Sequence, residues 1–232
     1  MSEVLEYKGL FWDGLEQTIL LTILGIGLAL VIAFSVGLMG ISRHRVLRSP
    51  AYVFVEFFRG TSIIVQLFWA YYALPFMGIK LDSFAAAVLV LGLNEGAYAA
   101  EIVRSAIKSL PRGQTEGAIA LGMRPTLRLR RILIPQAVPA MLPSFGNVFV
   151  DLLKATPLVS FIAVQDLTFN ALGVRTETQE TTVIFVGLLV AYFVLGLVLA
   201  LITWLLEKRF ALDRRPHPLL RPLVSGGPGV TR

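Results

Sequence analysis

The chain has 232 residues, of which 56% are hydrophobic and only 16% are charged, whereas soluble domains have about 25% charged residues. This composition excludes an ordinary soluble protein, so the net charge of +6 indicates basic loops on one side of a membrane rather than a nucleic-acid-binding surface. The absence of cysteine from the sequence excludes disulfides, thiolate catalysis and thiol-ligated metals.

Five apolar segments are each long enough to cross a membrane, which takes about 20 residues at about 1.5 Å of rise per residue. They are predicted at about 18–41, 61–77, 83–107, 135–162 and 181–206. Together they define a transmembrane domain over 18–209, between an N-terminal segment (1–17) and a tail (210–232). The first segment contains glycines that predict close helix packing: Gly25, Gly27, Gly37 and Gly40.

The connecting segments complete this architecture. Residues 51–59 are predicted to form a short amphipathic helix at the membrane interface, after a turn at Pro50. Residues 165–180 are predicted to form a loop. Three prolines at four-residue spacing predict a bent fourth span: Pro135, Pro139 and Pro143.

The distribution of Lys and Arg predicts the orientation. The loops at 43–48 and 104–131 and the C-terminal tail are basic, whereas the N-terminus and the loops at 78–82 and 165–180 are neutral or acidic. These two sets alternate along five spans, which places the N-terminus outside and the C-terminus in the cytoplasm.

The long polar segment from Leu110 to Pro135 separates the third and fourth spans. Residues 114–121 favour a short helix, and Gly122 is expected to end it with a sharp reversal. Most connectors have only about 2–8 residues, so we expect this helix to be a handle by which a soluble partner moves the membrane part.

This segment resembles the EAA loop of ABC-importer permeases. The matching residues are Glu116, Ala118, Gly122, Ile132, Ile134 and Pro135, and Gly117 replaces the first alanine of the family pattern. The flanking sequence is similar to the polar amino-acid uptake branch, the histidine/glutamine-type permeases, and also to ectoine/hydroxyectoine permeases. The segments that carry this similarity are EFFRGTSIIVQLF (56–68), NEGAYAAEIVRSAI (94–107), PRGQTEGAIALG (111–122) and LLKATPLVSFI (152–162).

The resemblance implies an all-α membrane protein with the type I ABC-importer (MetI-like) permease fold, five transmembrane helices and a cytoplasmic coupling helix. It also implies a second permease subunit, identical or homologous, a cytoplasmic ABC ATPase dimer and an extracytoplasmic substrate-binding protein. The resemblance also implies that the protein is located in the bacterial cytoplasmic (inner) membrane. The sequence has no P-loop motif, so the chain is expected to need no cofactor of its own and the partner ATPase to bind ATP.

Four residues are predicted to couple the permease to the ATPase: Glu116, Gly117, Ala118 and Gly122. Glu116 is expected in the first helical turn, where a carboxylate suits the helix dipole, or paired with a nearby basic residue. Ala118 would keep the contact surface small. The alternative is an ordinary amphipathic interfacial helix followed by basic anchors.

The candidate substrate path consists of polar residues inside the spans: Glu95, Asn94, Tyr98, Gln66, Asp151 and Lys154. Glu95 is predicted either to receive a substrate cation in a cavity or to pair with a basic residue of a neighbouring helix. Asp151 and Lys154 share a helix face, so they either contact substrate or neutralise each other. The three uncharged residues would hydrogen-bond a zwitterion or neighbouring helices.

These features predict the permease subunit of an ATP-driven importer that moves polar amino acids by alternating access, coupled through the 116–122 helix. An importer of ectoine or another compatible solute is the alternative within this class. A passive channel would not need the cytoplasmic helix, and a membrane-embedded enzyme would need catalytic residues that the sequence lacks. The two isolated histidines, His44 and His217, predict no metal site.

Overall fold

The computed structural model describes residues 7–211, and their regular structure is entirely helical. The helices are α1 (Lys8–Gly40), α2 (Arg45–Gly60), α3 (Ile63–Phe68), α4 (Ser83–Lys108), α5 (Arg112–Ala120), α6 (Pro125–Arg128), α7 (Ile134–Ala155), α8 (Leu167–Thr178) and α9 (Thr181–Ala211). A π-helical turn (Trp69–Ala73) and a 3-10 turn (Leu74–Met77) extend α3. A second π-helical turn (Leu129–Leu133) joins α6 to α7, and a 3-10 segment (Thr156–Ile162) extends α7. The start of the predicted N-terminal segment and the basic tail with His217 lie outside the described residues.

The predicted spans fall on helices. By length and composition, α1, α4, the stretch Pro125–Ile162 and α9 can each cross a membrane. The segments Arg45–Gly60 and Ile63–Met77 pass the same test together but meet at 104°, so they make a fifth span only if this bent pair is one broken span. A span made of this pair would include the amphipathic helix and a break in its middle, neither of which belongs to the predicted span at 61–77.

The predicted turn at Pro50 is wrong, because α2 begins at Arg45 and continues through this proline. Proline removes one backbone donor from the helix. The buried face of α2, formed by Ala51 and Val55, packs against α1 and α4 and keeps the helix continuous. The prolines of the fourth span do not interrupt α7 either, since Pro139 and Pro143 lie inside it.

The predicted loop at 165–180 is also wrong, because α8 occupies most of it. The Asp166 side chain caps this helix by accepting a hydrogen bond of 2.9 Å from the backbone N–H of Phe169. Apolar residues recur on one face, and Leu167, Ala171 and Val174 are buried. An aspartate followed by apolar residues at helical spacing was the signal that the sequence contained.

The contact between α1 and α4 forms the centre of the bundle. This contact depends on glycine. A Cβ added at Gly92 would lie 2.8 Å from the Cβ atom of Leu28, and one added at Gly96 would lie 2.7 Å from the Cβ atom of Ile32. The predicted packing at α1 holds for Gly25, Gly37 and Gly40, where an added Cβ would meet a neighbour at 3.2 Å, 2.7 Å and 3.2 Å, whereas Gly27 has no neighbour within 4 Å. The two helices therefore approach more closely than larger residues would permit.

The other elements surround this pair and define two ends of the bundle. At one end, called the α8 end here, α8 packs against the start of α1, and Asn170 Nδ2 donates a hydrogen bond of 2.8 Å to the carbonyl oxygen of Leu10. At the opposite end, called the α5 end, Gln136 of α7 contacts Gln114 of α5 at 3.1 Å. Helix α9 packs on α7 and α8 and leaves most of its apolar surface exposed, as expected of a helix in contact with lipid.

The substitution Gly96→Ala tests this packing. We expect it to destabilise the protein by about 1–3 kcal/mol, because the added methyl group overpacks the contact between the α4 backbone and the Ile32 side chain. Thermal unfolding of the purified protein in detergent measures the effect. Gly27→Ala is the matched control, since its methyl group meets no neighbour and alanine favours a helix by up to about 1 kcal/mol over glycine. Equal melting temperatures for the two variants would contradict the packing described here.

Candidate functional site

Side-chain amides bridge the break between α2 and α3. Gln66 Nε2 donates to the carbonyl oxygen of Phe58 at 3.1 Å and to Thr61 Oγ1 at 2.6 Å. Asn94 Nδ2, on α4, donates to the same Phe58 oxygen at 2.9 Å and to Gln66 Oε1 at 3.2 Å. The Phe58 carbonyl lies in the last turn of α2 and therefore has no partner within the helix. The amides of Gln66 and Asn94 thus bond neighbouring helices, as one of the two sequence hypotheses proposed.

A cavity of about 390 Å³, lined by both polar and apolar side chains, lies beside this break. Its walls come from α3, α4 and α7 and the α2–α3 junction, and the lining residues are Thr61, Ile63, Asn94, Glu95, Tyr98, Val148, Asp151 and Ala155. Four of the six predicted path residues therefore meet in one place. Of the other two, Gln66 lines a neighbouring apolar groove, and Lys154 is not among the lining residues of the cavity.

Glu95 is the buried charge of this cavity, with only 8% of its surface exposed. Asp151 lines the same cavity, so two acidic side chains share this space. Within residues 7–211, no hydrogen bond or ion pair reaches the Glu95 side chain. The expected structural pair with a basic residue is therefore not formed in the described part of the chain. A carboxylate inside a membrane is costly without a partner of opposite charge.

Asp151 and Lys154 form the pair that their spacing allows. Lys154 Nζ lies 3.6 Å from Asp151 Oδ1, and the two side chains are 67% and 64% exposed. Such an exposed pair is worth little, about 0–1 kcal/mol. Asp151 therefore remains available to the cavity that it lines.

Tyr98 forms part of the cavity wall, and Arg59 covers its ring. The Arg59 Cζ atom lies 5.0 Å from the ring centroid, which is a cation–π contact. The sequence analysis missed Arg59, because a basic residue at the end of an amphipathic helix is normally interpreted as an interfacial anchor. The available signal was the spacing of Tyr52, Glu56 and Arg59 at four and three residues, which places these polar side chains together on one exposed face of α2.

The predicted coupling segment forms a defined helix end. Gly122 has φ +72°, a left-handed conformation that suits glycine. Its N–H donates to the Ile119 carbonyl at 2.9 Å, and the Met123 N–H donates to the Ala118 carbonyl at 3.0 Å. These two bonds constitute a Schellman motif, which fixes the reversal after α5.

Two details of this segment differ from prediction. Helix α5 begins at Arg112, so Glu116 lies in its second turn and its predicted interaction with the helix dipole is wrong. Glu116 forms no ion pair with any residue that the structure describes. Gly117 is exposed and Ala118 is buried. The sequence analysis overlooked Ile119 and Leu121, which are 51% and 80% exposed and give the end of α5 an apolar surface.

A third polar cluster joins helices at the α8 end. Asp166 is fully buried in the segment before α8, and the Tyr192 hydroxyl of α9 donates to its Oδ2 atom at 3.2 Å. Burial raises the pKa of the Asp166 carboxyl above its ordinary value, and the hydrogen bond from the Phe169 N–H opposes this change. The Leu167 N–H donates to Thr18 Oγ1 of α1 at 3.1 Å. This cluster fixes α8 on the bundle.

Comparison with known proteins gives consistent matches over most of the chain. Residues 16–212 match the family model described as binding-protein-dependent transport system inner membrane component. The chain is 39% identical over 209 residues to a probable amino-acid ABC transporter permease of Sinorhizobium fredii, covering 88% of each protein. A crystal structure of an amino acid ABC transporter with histidines superposes with a TM-score of 0.81 at 33% identity, covering 89% of this chain and 96% of the other. An inward-facing methionine ABC transporter has a TM-score of 0.76 at 19% identity, with coverages of 88% and 98%, which shows a shared fold.

These matches confirm the predicted all-α type I importer (MetI-like) permease fold and a transport protein rather than an enzyme. None of the proteins compared above is named for ectoine, so that alternative is not supported. The chain belongs to the family of binding-protein-dependent transport system inner membrane components, the permease subunits of ABC importers, and within it is similar to permeases named for amino acids.

Proposed function

We propose that this subunit translocates polar amino acids by alternating access, driven by a separate ATPase that docks on α5. The observation that carries the substrate class is the buried, unpaired Glu95 beside Asp151 in the cavity. Glu95 lies about 18 Å from the start of α4, close to the middle of a bilayer. The names of the related permeases support amino acids as the substrate class.

The cavity lining explains why an amino acid suits it. Two carboxylates attract an ammonium group, and Tyr98 forms the adjacent wall of the cavity. The Asn94 amide nitrogen is occupied at the α2–α3 break, but its oxygen has no described donor and is free to accept a hydrogen bond from the ammonium. Amino acids with a cationic side chain are therefore the expected best substrates.

The link between the ATPase and the cavity follows α7. The exposed Ile119 and Leu121 at the end of α5 form the surface that enters a cleft of the ATPase, with Glu116 and Gly117 exposed on the same helix. The Gln114–Gln136 hydrogen bond connects α5 to α7, and Asp151 lies about 22 Å further along α7. A displacement of α5 thus reaches the cavity through one helix.

The orientation and partners complete this proposal. The basic loops support a cytoplasmic α5 end and an outer α8 end, to which a substrate-binding protein delivers its ligand. A second permease, identical or homologous, closes the open side of the cavity. The assembly lies in the bacterial inner membrane.

Uptake by reconstituted vesicles tests the function. Proteoliposomes containing this permease with its ATPase and binding protein are given a ¹⁴C-labelled mixture of the twenty amino acids, and the accumulated label is identified by chromatography. Glu95→Gln is expected to lower accumulation of the preferred amino acid about tenfold, because it removes a charge-assisted contact of about 1.5–3 kcal/mol.

Glu207→Gln, which neutralises a carboxylate at the end of α9 away from the cavity, is the matched control and is expected to leave accumulation unchanged. ATP hydrolysis by both variants should remain normal. Accumulation without the ATPase would indicate a passive channel instead. Unchanged accumulation by Glu95→Gln would contradict the assigned role of the cavity.

Gly122→Val tests the coupling helix. Valine is strained at φ +72°, by at least about 1–2 kcal/mol, so the reversal after α5 should be lost. We expect membrane insertion to persist, while co-purification of the ATPase and transport both fail. Gly113→Val, in the first turn of the same helix and also without close neighbours, should retain both. Normal ATPase co-purification with the Gly122 variant would refute the docking site.

A further inference from the structure

Two cavities meet at the Arg59–Tyr98 contact. Tyr98 lines the cavity that contains Glu95 and Asp151. Arg59 lines a second cavity of about 560 Å³ between α1, α2 and α4, nearer the α5 end. Because the guanidinium lies 5.0 Å from the ring centroid, the two side chains together form the boundary between these spaces.

The charges differ on the two sides of this boundary. The first cavity has two carboxylates and no basic lining residue. The second is lined by four basic and two acidic side chains: Arg48, Arg59, Arg104, Lys108, Glu56 and Glu101. A zwitterion at the boundary is therefore oriented by the protein, with its ammonium group in the first cavity and its carboxylate towards the second.

Arg59 has donors available for this carboxylate. Glu101, which interacts electrostatically with Arg59, accepts two hydrogen bonds from Arg104 instead. Glu56 is three residues away on α2 but forms no ion pair with Arg59 in the described chain. A guanidinium has five N–H donors in a planar arrangement that fits both oxygens of a carboxylate.

The spacing also suits an amino acid. Glu95 and Tyr98 lie three residues apart on α4, so their Cβ atoms are about 5–6 Å apart on one face. The Arg59 guanidinium lies directly over the Tyr98 ring. A molecule the size of an amino acid backbone can therefore contact both the Glu95 carboxylate and the Arg59 guanidinium.

We propose that Arg59 binds the carboxylate of the transported amino acid and is a specificity-determining residue of the translocation path. This inference rests on the proposed transport function and adds the group that recognises the other half of the zwitterion. Arg59 selects amino acids over amines of the same length, since an amine without a carboxylate leaves the guanidinium without its ligand. The Tyr98 ring holds the guanidinium at the edge of the cavity.

Equilibrium dialysis of the purified permease–ATPase complex, without binding protein, tests this role. The probes are L-lysine and cadaverine, which differ only by the carboxylate. The wild-type complex is expected to bind L-lysine at least about tenfold more tightly, corresponding to one bidentate contact, and Arg59→Gln should bind the two probes equally. Arg59→Lys, which keeps the charge but not the fork of donors, should show an intermediate preference.

Lys208→Gln is the matched control. It removes another cation–π contact, at the end of α9, where the Lys208 Nζ atom lies 5.1 Å from the Trp204 ring centroid. We expect this variant to keep the preference for L-lysine. Melting temperatures of all variants report on folding separately. A wild-type complex without preference for L-lysine, or an Arg59→Gln complex that retains it, would overturn the proposal. ATP-driven uptake from the labelled amino-acid mixture would survive that result, so the two proposals fail separately.

Discussion

A helix that ends inside an apolar layer leaves carbonyl oxygens that must be hydrogen-bonded. The break between α2 and α3 creates this requirement, and the amides of Gln66 and Asn94 meet it at the Phe58 carbonyl. The same break turns α3 away from α2 and opens the space next to Glu95. The cavity therefore lies beside the break between α2 and α3, and the bonds that stabilise the break also tie it to α4.

Much of the fold follows from the sequence, because the membrane alone determines how long an apolar segment must be and on which side the basic residues lie. The five apolar segments coincide with helices for this reason. Helix α8 and the continuation of α2 through Pro50 were not predicted, since both depend on tertiary packing. Ala51 and Val55 stabilise α2 by contacts with α1 and α4, which no local pattern reports.

The candidate site was predictable only where the signal is local. The reversal at Gly122 follows from the conformational freedom of glycine, and Glu95 is conspicuous as a charge inside a span. Helix α5 begins two residues before the predicted start, because its start at Arg112 has no strong cap signal, and this moves Glu116 from the first turn to the second. Arg59 was missed because its significance depends on Tyr98, which lies 39 residues further along the chain and on another helix.

The central claim is that a cytoplasmic ATPase moves the cavity through α5, and the location of α5 tests it most directly. Since the chain contains no cysteine, Leu121→Cys introduces a single thiol at a residue that is 80% exposed. A membrane-impermeant maleimide should label it in inside-out vesicles, should not label it in right-side-out vesicles, and should label it more slowly when the ATPase is bound. Labelling from the outer side would contradict the account.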